Sequence, residues 1–183
     1  MAIATFDELR SNSPFLSDDR VKLAKSLTSK NLFLSHSLSD TEPARRALAL
    51  LEQHGATVYL DIEDVGLKSA SSADVAGRLR RAIEQCRRLV VIVTENTQTS
   101  RWIPWEMGLA DAFATPARVA LLPLRPSATA SELWVKQEYF DLYARIERHT
   151  SPGEYTPSWA VRAPDGQYWT LGAWLNHFKP PSR

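Results

Sequence analysis

Between residues 31 and 124, short unbroken apolar runs alternate with stretches in which apolar residues recur every three or four positions. Leu32, Phe33 and Leu34 form the first run, and Thr57, Val58, Tyr59 and Leu60 the second. Leu89, Val90, Val91, Ile92 and Val93 form the third, and residues 119–124 the fourth. Runs that are apolar throughout and rich in β-branched residues predict strands covered on both faces, as in a parallel sheet. The intervening spacing predicts helices over 41–54, 73–87 and 100–114. The first places Ala44, Ala47, Leu48 and Leu51 on one face, and Gly55 stands where a helix C-terminal glycine is expected. The second does the same with Val75, Leu79, Ala82 and Ile83. A polar loop fills 61–72. Strands alternating with helices at these intervals predict right-handed crossovers and an α/β fold, a flavodoxin-like doubly wound parallel sheet of about five strands. Pro123 is expected to end the pairing of the fourth strand, and 139–146 to supply a fifth, edge strand.

The flanks are less regular. In residues 1–30, Ser17, Asp18 and Asp19 supply a cap and first-turn acids ahead of an apolar face at Val21, Leu23, Ala24 and Leu27. Near the other end, 158–162 and 167–171 read as a hairpin turning at Pro164, Asp165 and Gly166, followed by a helix over 171–178. The predicted organisation is an N-terminal helical extension over 1–30, a main domain over 31–148, and a C-terminal extension over 149–183 packed on the same domain.

With 183 residues the chain is long enough for a real core, and its 22 basic against 21 acidic residues show no excess suited to nucleic acid. Arg78, Arg80, Arg81, Arg87 and Arg88 read as the solvated face of a helix. Cys86 is the only cysteine, which excludes a disulfide within the chain and fits a small buried thiol in a reducing compartment. The histidines at 36, 54, 149 and 177 have no metal-site spacing, so no metal is expected. No leader pattern or membrane-length apolar run is present, and the expectation is a cytoplasmic protein.

In open α/β sheets ligands bind beyond the carboxyl ends of the strands, where strand order reverses. For a flavodoxin-like order that point lies between the first and third predicted strands. The residues leaving them are Ser35, His36 and Ser37, and Thr94, Glu95 and Asn96. The following helix opens with Ser100, Trp102 and Glu106. Trp102 and Glu106 stand four apart, on one helical face. Pro104 is tolerated only in a first turn and sets the helix start close to 100–103, where the helix dipole favours an ionised Glu106. Trp105 and Phe113 are expected in the core.

The stretch S-R-W-I-P-W-E-M-G over 100–108 resembles the active-site helix of Toll/interleukin-1 receptor (TIR) domains, in which Ser100, Trp102 and Glu106 fit the pattern S-x-W-x-x-x-E. The opening N-L-F-L-S-H-S-L-S-D, the strand end Y-L-D, and R-V-A-L-L-P-L are similar to the same family, in a bacterial branch carrying Pro-Trp-Glu-hydrophobic-Gly. The chain departs from the family in the loop after the second strand, where only Gly66 can serve the usual turn, and in having Ile103 where a cysteine is usual.

The resemblance implies cleavage of the nicotinamide–ribose bond of NAD, with NAD as substrate and no cofactor. Nicotinamide is cationic while bound and leaves neutral, so the site needs no second carboxylate to protonate it. Glu106 would stabilise the oxocarbenium-like charge at the anomeric carbon, and Trp102 would wall the ribose or nicotinamide by stacking. Ser35, His36 and Ser37 would hold ribose or pyrophosphate, with His36 favoured, and Asp61 would line the crevice from the second strand. Ser100 fits a helix cap better than a substrate contact. Capture of the ribosyl cation by water, by the molecule's own adenine or ribose, or by another nucleophile leaves open whether the product is ADP-ribose, a cyclic isomer or a conjugate. The resemblance further implies a signal-producing role in bacterial antiphage defence, self-association through TIR surfaces, and a separate effector that reads the product. Two rivals stand beside it, a non-catalytic adaptor working by self-assembly and a nucleoside deoxyribosyltransferase of similar architecture. A phosphoacceptor receiver domain is set aside, because the third strand is followed by Thr94 and Glu95 rather than by an aspartate.

Overall fold

The structure, a computed structural model, describes residues 3–24, 26, 29–60, 71–86, 88–100, 102–114, 116–131 and 138–177. Its strands are β1 (Ala4–Thr5), β2 (Leu32–Ser35), β3 (Val58–Leu60), β4 (Arg88–Val93), β5 (Val119–Arg125), β6 (Ala144–His149), β7 (Ser158–Arg162) and β8 (Tyr168–Thr170). Its helices are α1 (Phe6–Asn12), α2 (Asp18–Ala24), α3 (Thr41–Gln53), α4 (Ser72–Gln85), α5 (Ile103–Ala114) and α6 (Leu171–His177). The strands form one sheet in the order β3-β2-β4-β5-β6-β7-β8, with β1 pairing β5 off that path. Pairing is parallel from β3 through β6 and antiparallel for β7 and β8. The flavodoxin-like arrangement expected from the sequence is therefore present in the first five strands of that order.

Side chains of a strand alternate between faces, and here the alternation sorts the core into two layers. Leu32, Leu34, Val58, Leu60, Val90, Ile92, Ala120 and Leu122 join α3 and α6 on one face. Phe33, Tyr59, Leu89, Val91, Val93, Val119 and Leu121 join α4 and α5 on the other. Local chemistry ends the helices where it should. Thr5 and Glu8 close a capping box at the start of α1, and Ser71 and Asp74 do the same for α4. Gly55, at φ 96°, lets the chain leave α3 while its N–H reaches the Glu52 carbonyl at 3.0 Å.

The terminal segments share this core. Leu9 of α1, Val21 of α2 and Trp174 of α6 all belong to the layer built on α3. The hairpin β7–β8 extends the main sheet through Ile146↔Val161. Gly166, at φ 87°, makes its turn.

Several expectations are corrected. The α-helix after β4 starts at Ile103, inside the 100–103 window set by Pro104 but three residues later than the 100–114 range, because Ser100 stays extended and caps it from outside. Pro123 does not end pairing: it stands opposite Val93, and β5 runs on to pair Leu124 and Arg125 with the two-residue strand β1. The fifth strand of the parallel set lies at 144–149 and is interior, because β7 covers its outer edge. Arg88 is no solvated helical residue but a buried strand residue, whose Nε donates to the Trp174 carbonyl at 2.8 Å. Phe113 is 52% exposed rather than core.

Candidate active site

Strands β2 and β4 lie side by side, with Ser35 level with Val91. From their carboxyl ends the chain departs in opposite directions. β2 leads into α3 on one face and β4 into α5 on the other, which opens a crevice between them. A cleft of about 350 Å³ occupies it, lined by Ser35, His36, Ser37, Ser100, Trp102 and Glu106 together with the apolar wall of Phe33, Leu79 and Ile103. Six of the seven residues singled out in the sequence thus meet in one place. The seventh, Asp61, lies outside the described residues.

Glu106 enters from the first turn of α5. Its backbone N–H donates to the Trp102 carbonyl at 2.8 Å, closing the turn that Pro104 cannot close. Ser100 acts as a cap, its hydroxyl oxygen accepting from the Ile103 N–H at 3.3 Å while its side chain also borders the cleft. Trp102 therefore stands at the helix start, one turn from Glu106, with its ring held edge-on to Trp105 at 5.6 Å. The Glu106 carboxyl is 5% exposed as a residue, and the Ser35 hydroxyl, 2% exposed, donates to its Oε2.

His36 borders the cleft from the segment after β2. Both of its ring nitrogens are shielded from solvent and neither has a hydrogen-bond partner among the described residues. Burial depresses the imidazole to about 4, so it is neutral at physiological pH. An unpaired buried polar group costs about 1–3 kcal/mol, and such groups collect where a ligand can satisfy them.

A buried aspartate, not foreseen from the sequence, fixes the loop carrying these residues. Asp40 accepts from Thr94 Oγ1 and from Asn96 Nδ2, each at 2.7 Å, and so ties the segment after β2 to the turn after β4. Burial raises the Asp40 carboxyl above its ordinary value, against the opposing effect of these hydrogen bonds. Its position before Thr41 resembles a helix cap, yet the side chain makes no capping bond and turns inward. The pairing partner lies 54 residues away, so no local pattern marks it.

The cleft offers one carboxylate, several hydroxyls, a neutral imidazole and an indole. Among the described residues Glu106 is the one carboxylate that lines it. No cluster of metal-ligating side chains occurs among the described residues. A carboxylate aligned by a hydroxyl in a shielded cleft can stabilise positive charge on a bound ligand.

Comparison with known proteins places these features in context. A family model for the TIR domain matches residues 32–151, which takes in β2 through β6 and every named residue of the cleft. A protein of Bacillus cereus (strain MSX-D12), described as a probable 3′ cyclic ADP-D-ribose synthase ThsB′, is 34% identical over 150 residues. That similarity covers 79% of this chain and 75% of the relative.

Proposed function

The chain belongs to the TIR domain family, and from that premise we propose that it consumes NAD, cleaving the nicotinamide–ribose bond and closing the remaining ADP-ribosyl group into a cyclic signal. The observation that carries this reading is the buried Glu106 carboxylate, held by the Ser35 hydroxyl in a cleft walled by Trp102.

The bond between the ribose anomeric carbon and the nicotinamide nitrogen breaks, and its electron pair leaves with the nicotinamide, which becomes neutral. Positive charge spreads over the anomeric carbon and ring oxygen, where the Glu106 carboxylate stabilises it. Trp102 stacks on the ribosyl or nicotinamide portion and keeps bulk water from the cation. The His36 imidazole, neutral, donates its one N–H to a ribose or pyrophosphate oxygen and accepts from a ribose hydroxyl at the other nitrogen, so both ring nitrogens that lack a protein partner are met, and the Ser37 hydroxyl donates beside it. The relative's name describes ring closure through a 3′ position. For this chain the corresponding step is attack of the 3′ hydroxyl oxygen of the adenosine ribose on the anomeric carbon. Its proton passes to Glu106 and on to solvent.

The same reading makes the product a signal in bacterial antiphage defence, detected by a separate effector, with activity promoted by self-association through TIR surfaces. No helix among the described residues is long and apolar enough to cross a membrane. The test is incubation of the purified protein with NAD, alone and with infected-cell extract, followed by chromatography for nicotinamide and mass spectrometry of the nucleotide. Nicotinamide release with a product one water lighter than ADP-ribose is expected, reduced roughly 100-fold or more in Glu106→Gln. Absence of nicotinamide release under both conditions refutes the enzyme. Signalling that survives Glu106→Gln supports the adaptor reading, and activity on deoxynucleosides instead of NAD supports the deoxyribosyltransferase.

A further inference from the structure

The edge of the sheet opposite the Glu106 cleft carries a second cavity, of about 600 Å³, within the size range of small-molecule sites. It forms where β2, β3, β4 and β5 begin. The register Val58↔Leu32↔Arg88 and Leu89↔Val119 brings the residues entering these strands side by side. Lys30, Arg88 and Arg118 line it, with Asn31, Thr57 and Gln85 adding amide and hydroxyl groups, and no described aspartate or glutamate does.

Helix C-termini gather at this edge of a doubly wound fold, and cations there complement their dipoles. Arg88 does this for α6, donating to the Trp174 carbonyl with its guanidinium carbon 5.0 Å from the Trp174 ring centre. The same two contacts hold that guanidinium rigidly beside the cavity. Lys30 and Arg118 are different. Both are half-buried, both line the cavity, and neither has a hydrogen-bond or ion-pair partner among the described residues. Like charges gathered around a partly enclosed space repel, and an anion placed between them turns that repulsion into attraction.

We propose that this cavity is a binding site for a small phosphorylated anion, held by Lys30, Arg88 and Arg118. A phosphate or diphosphate supplies the charge and acceptor oxygens that these groups demand, and the neighbouring amides and hydroxyls meet the remaining oxygens. The site lies at the opposite strand ends from Glu106 and is independent of the chemistry in that cleft.

The test is calorimetric titration of the full chain with inorganic pyrophosphate and, separately, with ADP, at constant ionic strength. Binding by wild type, weakened roughly tenfold or more in Lys30→Gln and in Arg118→Gln, is the expected result. ADP binding more tightly than pyrophosphate assigns the site to a nucleotide, whereas equal or tighter pyrophosphate binding assigns it to free phosphate. No binding of either probe at millimolar concentration overturns the proposal. So does equal binding by wild type and the two cavity variants. Circular dichroism checks each variant, and if Arg118→Gln does not fold, Lys30→Gln alone decides.

Discussion

The Ser35 hydroxyl at the last position of β2 donates to the Glu106 carboxylate in the first turn of α5, joining residues 71 positions apart. The bond spans the point where the two crossovers part, so it reports directly on the relative placement of β2 and α5. It also leaves one carboxylate oxygen aligned by the protein before any substrate arrives. Preorganisation of this kind is where electrostatic catalysis gains most, because no group has to reorient as charge develops.

Ser35→Ala removes the hydroxyl without adding bulk. A hydrogen bond to a charged group contributes about 1.5–3 kcal/mol, so kcat for nicotinamide release is expected to fall roughly tenfold or more. Steady-state kinetics with NAD check the mode of the loss. A fall in kcat with KM nearly unchanged fits a hydroxyl that aligns Glu106, whereas a rise in KM alone makes Ser35 a ground-state binding group.

Asp40→Ala tests the strut behind the cleft. The substitution leaves the Thr94 hydroxyl and the Asn96 amide without their acceptor, at a cost of about 2–3 kcal/mol. For a domain of this size that lowers Tm by roughly 5–10 °C, readable by differential scanning calorimetry. Because residues 36–39 ride on this anchor, KM for NAD is expected to rise while the chemistry of Glu106 is retained. An unchanged Tm would show that Asp40 does not hold the loop.

The fold was legible in the sequence wherever its cause is local. The apolar run at 89–93 is buried on both faces, the Gly55 exit from α3 follows its cap chemistry, and Asp165-Gly166 makes the turn it predicts. The cleft was legible because topology, together with the spacing of Trp102 and Glu106, points to the crevice between β2 and β4. What sequence reading missed depends on long-range partners. Asp40 finds Thr94 and Asn96 across the switch point, and Arg88 finds the carbonyl of Trp174, 86 residues on. β1 is only two residues long and has no periodicity to read, so its pairing with Leu124 and Arg125 leaves no trace before the sheet assembles. Phe113 sits on a helix that is apolar nearly all round, and only the packed structure shows which side faces water.

Cys86 closes α4 as its C-terminal cap, and burial pushes its thiol up to about 12, with the positive charge of Lys30 pulling weakly the other way. The thiolate is the reactive form, so the native protein should resist alkylation near neutral pH. Iodoacetamide treatment followed by mass spectrometry is expected to leave the native chain unmodified and to label the denatured chain fully. Native labelling at the denatured rate would mean that the end of α4 opens readily, contrary to its packing against β4.

His36 links the cleft to the pH dependence of folding. Its imidazole is depressed to about 4 in the folded chain and titrates near 6.5 in the unfolded one. Between these values the unfolded chain binds a proton that the folded chain does not, so stability rises with pH across that window. The contribution is fully present above about 6.5 and is lost as pH falls toward 4, reaching on the order of 3 kcal/mol in total. Urea unfolding of wild type and His36→Gln at about pH 7 and about pH 5 isolates the effect, since the carboxylates common to both cancel in the difference. Wild type is expected to lose roughly 2 kcal/mol more than the variant on that descent. Parallel behaviour of the two proteins would place the His36 imidazole in contact with solvent and remove the reason for its neutral state in the cleft.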